Sequence, residues 1–387
     1  MWGFYGHRLI NKLAVFTLPE EMIDFYKNNL TYLSEHAVDA DKRRYAVKGE
    51  AIRHYIDLDH WGKDASDSLP RDLAIAVVKN GRIFLIQGNE HILLFDTTTQ
   101  GNEIIDTLNW SEQVRSKFFV LSRGLSLKDF KKWFKEKAWF QYDPESWLIK
   151  SKDSNIILSE LKTEGDILIE DHFAVHGIIP YHLEFMYYRL VSAFKNLDQE
   201  KILKLSADMG HYIGDAHVPL HTTKNYNGQL TNQDGIHAFW ESRIPELFAE
   251  EQFDFIVGPA EYIHDIRTFS WNIIRVSHTY VDSVLFIEKS LSNSFPLDEQ
   301  YCFETRLGVM TKLPCRDYAK AFHERLEYQV EDRMRESILA LGSVWMSAWV
   351  DAGQPDLHNL KVNALPVPDM TDSADSNKSA LEARPHE

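Results

Sequence analysis

The sequence predicts a mainly α protein, a multi-helix bundle interrupted by a small α+β insertion. Two observations carry this. Apolar residues recur with a 3.6-residue period early and late in the chain: His7, Ile10, Ala14 and Leu18 share one face of a first run, and Ile202, Leu203, Leu205, Met209 and Ile213 mark a later one. Between about residues 71 and 170 the texture changes. There Val77-Val78, Asn80-Gly81 and the run from Ile83 to Ile86 read as a β-hairpin with a primed turn.

Taken in order, residues 3–18 form the first helix and Pro19 stops it. A second helix follows from Glu20 to Leu33. The stretch SEHAVDADKRR, residues 34–44, then leads to AIRHYIDLDHW, which holds His54, Asp57 and Asp59. Within the insertion, Ile92 to Phe95 adds a third strand, and residues 126–137 open with a capping-type Ser126-x-x-Asp129. Helical patterning resumes around Asp171, with Pro180 marking a break or kink. Asp198 is suited to N-cap the helix that carries His211 and Asp215, and Val218-Pro219 ends that helix. Residues 222–235, rich in Thr, Asn, Gly and Gln, form a loop long enough to suggest function. His237 to Phe248 returns to helix, and long helices are expected at 258–291 and 317–351. The tail from about Leu365 is rich in Pro, Ser, Asp and Ala and is expected to be disordered. The organisation expected is therefore a helical body of residues 1–70 and 171–364, an insertion of 71–170 and a tail of 365–387.

A chain of 387 residues can bury a substantial core as one large domain or two. Its 42 basic and 58 acidic residues give a formal charge of −16, which argues against non-specific affinity for nucleic acid or anionic lipid. A phosphate substrate remains compatible with that balance, because bound metal is absent from the count. Cys302 and Cys315 are too few for a Cys-rich zinc module. They form one disulfide in an oxidising compartment or stay as free core thiols, with equal weight. No apolar run reaches bilayer length, and no signal peptide precedes the first helical pattern.

The chemistry concentrates between His211 and Glu241. His211 and Asp215 stand four residues apart, as do His237 and Glu241, and His221 lies between the pairs. On a helix, residues i and i+4 lie one above the other, so each pair can grip one ion. Imidazole and carboxylate without thiolate suit zinc, with positions left open for water and substrate. A lone histidine on an apolar face is more often a satisfied core residue than a ligand, but two such pairs with a third histidine reverse the balance. No HExxH motif is present to support a metalloprotease.

This pattern resembles the superfamily that unites bacterial zinc-dependent phospholipase C with the fungal and plant single-strand-specific zinc nucleases. The resemblance covers residues 2–62 and about 171–248. It implies a mostly helical fold, three zinc ions and a tryptophan at the mature N-terminus. By this resemblance His211, Asp215, His54 and Asp41 hold one zinc, and His221, His237 and Glu241 a second. The third takes His7, Asp215 as a bridge, and the amine and carbonyl of Trp2. Asp41 lies in DADKRR, similar to the nucleases' Trp-Ala-Asp-x-x-Arg segment, with Asp39 as the alternative ligand. Arg44 matches their phosphate-contacting arginine, with Arg43 as its rival. Asp57 in HYID matches the neighbouring acid, and Tyr55 joins it as a substrate contact or as a packing residue. His217 points away from the 211/215 face. Val218 replaces a usual glutamine, and Glu241 is a glutamate as in the phospholipases.

The resemblance thus implies a phospholipase C-like zinc phosphodiesterase. Asp41 takes a proton from the attacking water, and Arg44 holds the pentacoordinate phosphorus. The alternatives are an endonuclease acting on single strands and a non-catalytic zinc-binding helical domain. The expected partner is a phosphodiester, from a phospholipid head group or single-stranded nucleic acid, and no protein partner is implied. Phe130, Trp133, Phe134, Trp139, Phe140 and Trp147, set among lysines, offer a peripheral membrane contact or pack the insertion onto the helical body. Secretion or a periplasmic location is expected, with Met1 standing in place of a removed signal peptide.

Overall fold

The first helix, Gly3–Ala14, buries Gly6, His7, Ile10, Asn11 and Ala14 along one stripe, the i, i+3/i+4 spacing of a core-facing face. The computed structural model describes residues 2–96, 106–143, 147–306, 308–358 and 360. The protein is mainly α, and it divides into two units, Met1–Asp67 with Ile179–Glu387, and Ser68–Ile178. Met1 and the 365–387 tail lie outside the described residues. Among the described residues no helix is long and apolar enough to cross a membrane.

The first unit is built around the helix Gln199–His217, whose residues from Leu205 to His217 are all buried. Helices apolar or buried all round occupy the centre of a bundle. Here the neighbours are Gly3–Ala14, Ile179–Lys195, Ile266–Thr279 and Gln329–Asp351. Asp198 caps its start, accepting the Lys201 amide at 3.2 Å. At its end Arg333 donates from Nε to the His217 carbonyl at 3.1 Å, a cation on an orphan carbonyl of the helix C-terminus. The close approach of the first helix depends on absent side chains. A Cβ on Gly210 would stand 1.7 Å from Asn11 Oδ1, and one on Gly214 would stand 3.0 Å from both His7 Nδ1 and Trp2 Cδ1. Asn11 uses that proximity, donating to the carbonyls of Leu33 and Ala207 at 3.0 and 3.1 Å.

Several expected elements are subdivided. Residues 20–33 form Glu20–Asn28 and Leu30–Glu35, broken at Asn29. Pro180 causes no kink, because it falls in the first turn of Ile179–Lys195, where a missing N–H breaks no helical bond. Asp171 starts no helix of its own. Its carboxylate instead accepts the Phe173 and Ala174 amides, both at 2.8 Å, in a short turn after a strand. Residues 258–291 are not one helix: Asp265 caps Ile266–Thr279, and Val281–Ser294 follows. The 317–351 helix is Arg316–Arg325 plus Gln329–Asp351, parted where Glu327 takes φ of 55°. Between these pairs lies an antiparallel hairpin absent from the sequence reading, Tyr301–Arg306 with Val309–Pro314. It is closed at its base by a disulfide between Cys302 and Cys315, whose Cα atoms are 5.0 Å apart.

The second unit holds an antiparallel sheet ordered Glu90–Leu93, Arg82–Gln87, Asp166–Glu170, Trp147–Ile149. The turn expected at Asn80-Gly81 is instead a helix end. Val77 and Val78 lie in Leu73–Asn80, capped by Asp72, and the chain enters the first strand at Arg82. The hairpin turn is the next one, Gly88-Asn89, between the paired Gln87 and Glu90. Ser126 sits at a helix N-cap but makes no side-chain capping bond. Phe130, Trp133, Phe134 and Trp147 are core residues of this unit and Phe140 is exposed. Their rings pack on one another, Phe134 on Trp147 at 5.6 Å, and both indole N–H groups find backbone carbonyls.

Candidate metal centre

The central helix presents His211 and Asp215 one turn apart, and three other segments converge on them. Gly3–Ala14 brings His7, whose ring stacks on His211 with centroids 4.0 Å apart. The short helix Asp39–Arg44 brings Asp41, and the turn Ala51–Arg53 delivers His54. His211 Nδ1 donates to the Ala37 carbonyl at 2.9 Å, which turns Nε2 inward. That nitrogen lies 3.3 Å from Asp41 Oδ1, 3.2 Å from Asp215 Oδ2 and 3.1 Å from His54 Nδ1. His54 Nδ1 is 2.8 Å from Asp215 Oδ2, and His7 Nε2 is 3.4 Å from Asp215 Oδ1.

A further group stands beside these. His221 rides on the turn Pro219–Thr222, while His237 and Glu241 lie on the helix that follows. That helix passes through a π-turn at Phe239–Arg243, a local widening often found where a helix side chain is re-aimed for function. His221 Nδ1 donates to the His54 carbonyl at 2.6 Å and His237 Nδ1 to the Tyr226 carbonyl at 3.0 Å. A carbonyl can only accept, so both rings carry their proton on Nδ1 and a lone pair on Nε2. The two Nε2 atoms nevertheless face each other at 3.2 Å, with Glu241 Oε2 at 3.4 and 3.2 Å. Two ring lone pairs and a carboxylate oxygen so close together make a set that could hold a metal ion.

The spacing fits a small metal ion. Bonds of about 2.0–2.1 Å in tetrahedral geometry put ligand atoms about 3.3–3.4 Å apart. Three buried sets can therefore hold metal: His7, His211 and Asp215; Asp41, His54 and His211; His221, His237 and Glu241. His7 Nδ1 and Nε2, both oxygens of Asp41, His54 Nε2 and Asp215 Oδ1 are buried without a well-formed hydrogen bond among the described residues. Such atoms are costly unless something binds them.

The electrostatics agree. Burial holds His7 and His54 down to about 4, helped by His211 for the first and Arg44 for the second. Burial likewise keeps His221 and His237 well below the ordinary histidine value. His211 alone moves the other way. Burial opposes its charge, yet the carboxylates of Asp41 and Asp215 push it up to about 10. A proton on His211 thus occupies the electrostatic place of a cation.

The other site residues fall into place around this cluster. Asp41 lies in it; Asp39 does not, being paired with His36 and Lys42. Arg44 is buried and its charge reaches His54, His221 and His237. Arg43 turns instead to Asp208 at 3.0 Å and Glu50 at 3.4 Å. Trp2 is fully buried. Its indole donates to the Gly214 carbonyl at 2.7 Å and packs on Trp240 beside Glu241, while its own carbonyl accepts the Gly6 amide at 2.9 Å. Tyr55 and Asp57 are buried on the irregular segment after His54, tied to the His221 loop by Ile56 N–H to the His221 carbonyl at 2.9 Å. His217 is buried and bonded back to the Ile213 carbonyl at 2.7 Å.

No protein-family model matches the chain, and no curated protein matches it. The centre therefore stands on its geometry.

Sequence reasoning missed the groups that orient the ligands. The carbonyls of Ala37, His54 and Tyr226 fix three histidine tautomers, and no side-chain pattern can reveal a carbonyl. Asp59 was visible without a role. It accepts from Thr223 Oγ1 and the Lys224 amide, both at 2.9 Å, and so pins the start of the loop that supplies Tyr226.

Proposed function

We propose that the chain is a zinc-dependent phosphodiesterase of the phospholipase C and zinc-nuclease type, acting on phospholipid head groups. The observation that carries this reading is the convergence of three nitrogen–oxygen ligand sets without thiolate, two of them sharing His211 and the third set beside them. Asp215 faces His7 with Oδ1 and His54 and His211 with Oδ2, and its Oδ1 also lies 3.9 Å from His221. Zinc suits such donors. His54, Asp41, His211 and Asp215 would hold one ion, His221, His237 and Glu241 a second, and His7 with Asp215 and the Trp2 main chain a third.

Ions bound there supply Lewis acidity and a water ionised near neutral pH. The chain's own residues supply the rest. Asp41 would accept the proton of the attacking water, its ionised carboxylate lying 3.3 Å from His211 Nε2. Arg44 would contribute a buried positive charge that holds the phosphoryl oxygens. The Cys302–Cys315 disulfide favours a secreted or periplasmic setting.

The test is zinc content by elemental analysis together with hydrolysis of bis-p-nitrophenyl phosphate before and after chelation. Retained zinc and chelator-sensitive turnover support the reading; turnover unaffected by complete metal removal overturns it. Short-chain lecithin against denatured DNA then separates lipase from nuclease.

A further inference from the structure

The hairpin Tyr301–Arg306/Val309–Pro314 inverts the usual burial of a surface sheet. Its inward face carries charges beside Cys302 and Leu313. Glu304 receives the two-pronged guanidinium of Arg243, one arm at 3.1 Å, and Arg306 reaches Glu246 at 2.6 Å. Arg243 is itself buried, two residues after Glu241 on the same π-turn, and it also donates to the Pro314 carbonyl at 3.0 Å. The hairpin is thus fastened to the helix that carries a metal-ligand candidate, and the Cys302–Cys315 disulfide closes its base.

Its outward face is apolar and cationic. Phe303 and Thr305 point outward on one strand, opposite Lys312 and Met310 on the other, while Tyr301, opposite Pro314, turns its ring partly onto Tyr318. Phe303 is 69% exposed and Met310 71%, and Lys312 sits over the Tyr301 ring at 4.5 Å. This face bears no carboxylate in a chain whose formal charge is −16. Aromatic, Met and Lys side chains side by side suit the boundary between head groups and acyl chains.

We propose that this face is a lipid-interface anchor, which seats the metal centre on an aggregated phospholipid surface. Its consequence for turnover rests on the phosphodiesterase reading; its binding does not. Size speaks against a second copy as the occupant. Two six-residue strands span about 20 Å by about 10 Å, roughly 200 Å², far below the about 800 Å² per partner of a stable interface. A lipid surface needs no matching pocket and accepts a small convex apolar patch.

The test compares the full chain with the double variant Phe303→Ser/Met310→Ser in sedimentation with phosphatidylcholine vesicles, with and without phosphatidylglycerol. The expected result is co-sedimentation of the parent and at least a tenfold weaker vesicle affinity of the variant. Turnover of soluble bis-p-nitrophenyl phosphate should be equal in the two, and turnover of vesicle lipid should be lost in the variant. Equal sedimentation of both proteins, or no sedimentation of the parent, overturns the anchor. So does sedimentation velocity showing a dimer that the double variant dissolves. If neither protein hydrolyses the soluble ester while vesicle binding still differs, the anchor stands and the phosphodiesterase reading falls.

Discussion

The ring of His221 is held by the backbone of His54: His221 Nδ1 donates to the His54 carbonyl at 2.6 Å. The Ile56 amide returns a bond to the His221 carbonyl at 2.9 Å. One ring belongs to the set with Glu241 and the other to the set with Asp41, so the backbone of one set orients a ring of the other. The ligand groups form one unit, and damage to one spreads.

His221→Ala removes a ligand candidate and frees the His54 carbonyl at once. It is expected to lower metal content by more than one ion per chain and to reduce phosphodiester turnover by more than the about 10–100-fold typical of losing an orienting partner. Elemental analysis beside steady-state kinetics checks this, with circular dichroism to show that the helices persist.

Gly210→Ala tests the close helix approach on which His7 depends. The added methyl would meet Asn11 Oδ1 at 1.7 Å, and that oxygen belongs to a side chain already fixed by two carbonyls. Destabilisation of about 1–3 kcal/mol is expected from such overpacking. Denaturant unfolding measures it, and an unchanged midpoint would show that the helices can part without cost.

Arg333→Met removes the buried guanidinium that bonds the His217 carbonyl at 3.1 Å and Ser277 Oγ at 2.9 Å. The exposed buried carbonyl makes a loss of about 1–3 kcal/mol the expected result, again read from unfolding curves.

The buried His182 sets a pH dependence outside the ligand set. Burial, with Arg53 next, keeps it well below the ordinary histidine value, so it is neutral when folded. In the unfolded chain it takes up a proton below about pH 6.5. The unfolded state then binds more protons, so stability falls as pH drops below that value. His182→Gln should flatten the fall in melting temperature between about pH 6.5 and pH 5; an identical slope would remove His182 from the account.

Much of the centre was legible because helix geometry writes itself into sequence. His211 with Asp215, and His237 with Glu241, show the one-turn spacing directly, and both pairs meet in the fold. Asp41 and His54 come from segments with no such period and could be nominated only by resemblance. The choice between Asp39 and Asp41 follows from local pairing, since His36 and Lys42, three residues to either side, claim the former. Asn80-Gly81 misled because the same dipeptide ends helices and turns hairpins. Asp72, eight residues earlier, was the cap that decided between them. The 301–314 hairpin stayed hidden because its partners are charges: Glu304 and Arg306 face inward to Arg243 and Glu246, so the apolar alternation points to solvent.

Zinc bound per chain, measured after purification without chelator and again after dialysis against one, tests the central claim most directly. The account predicts about three ions, matching the three buried ligand sets, with loss on chelation and recovery on adding zinc. A folded protein that retains no metal and takes up none when zinc is supplied would contradict it.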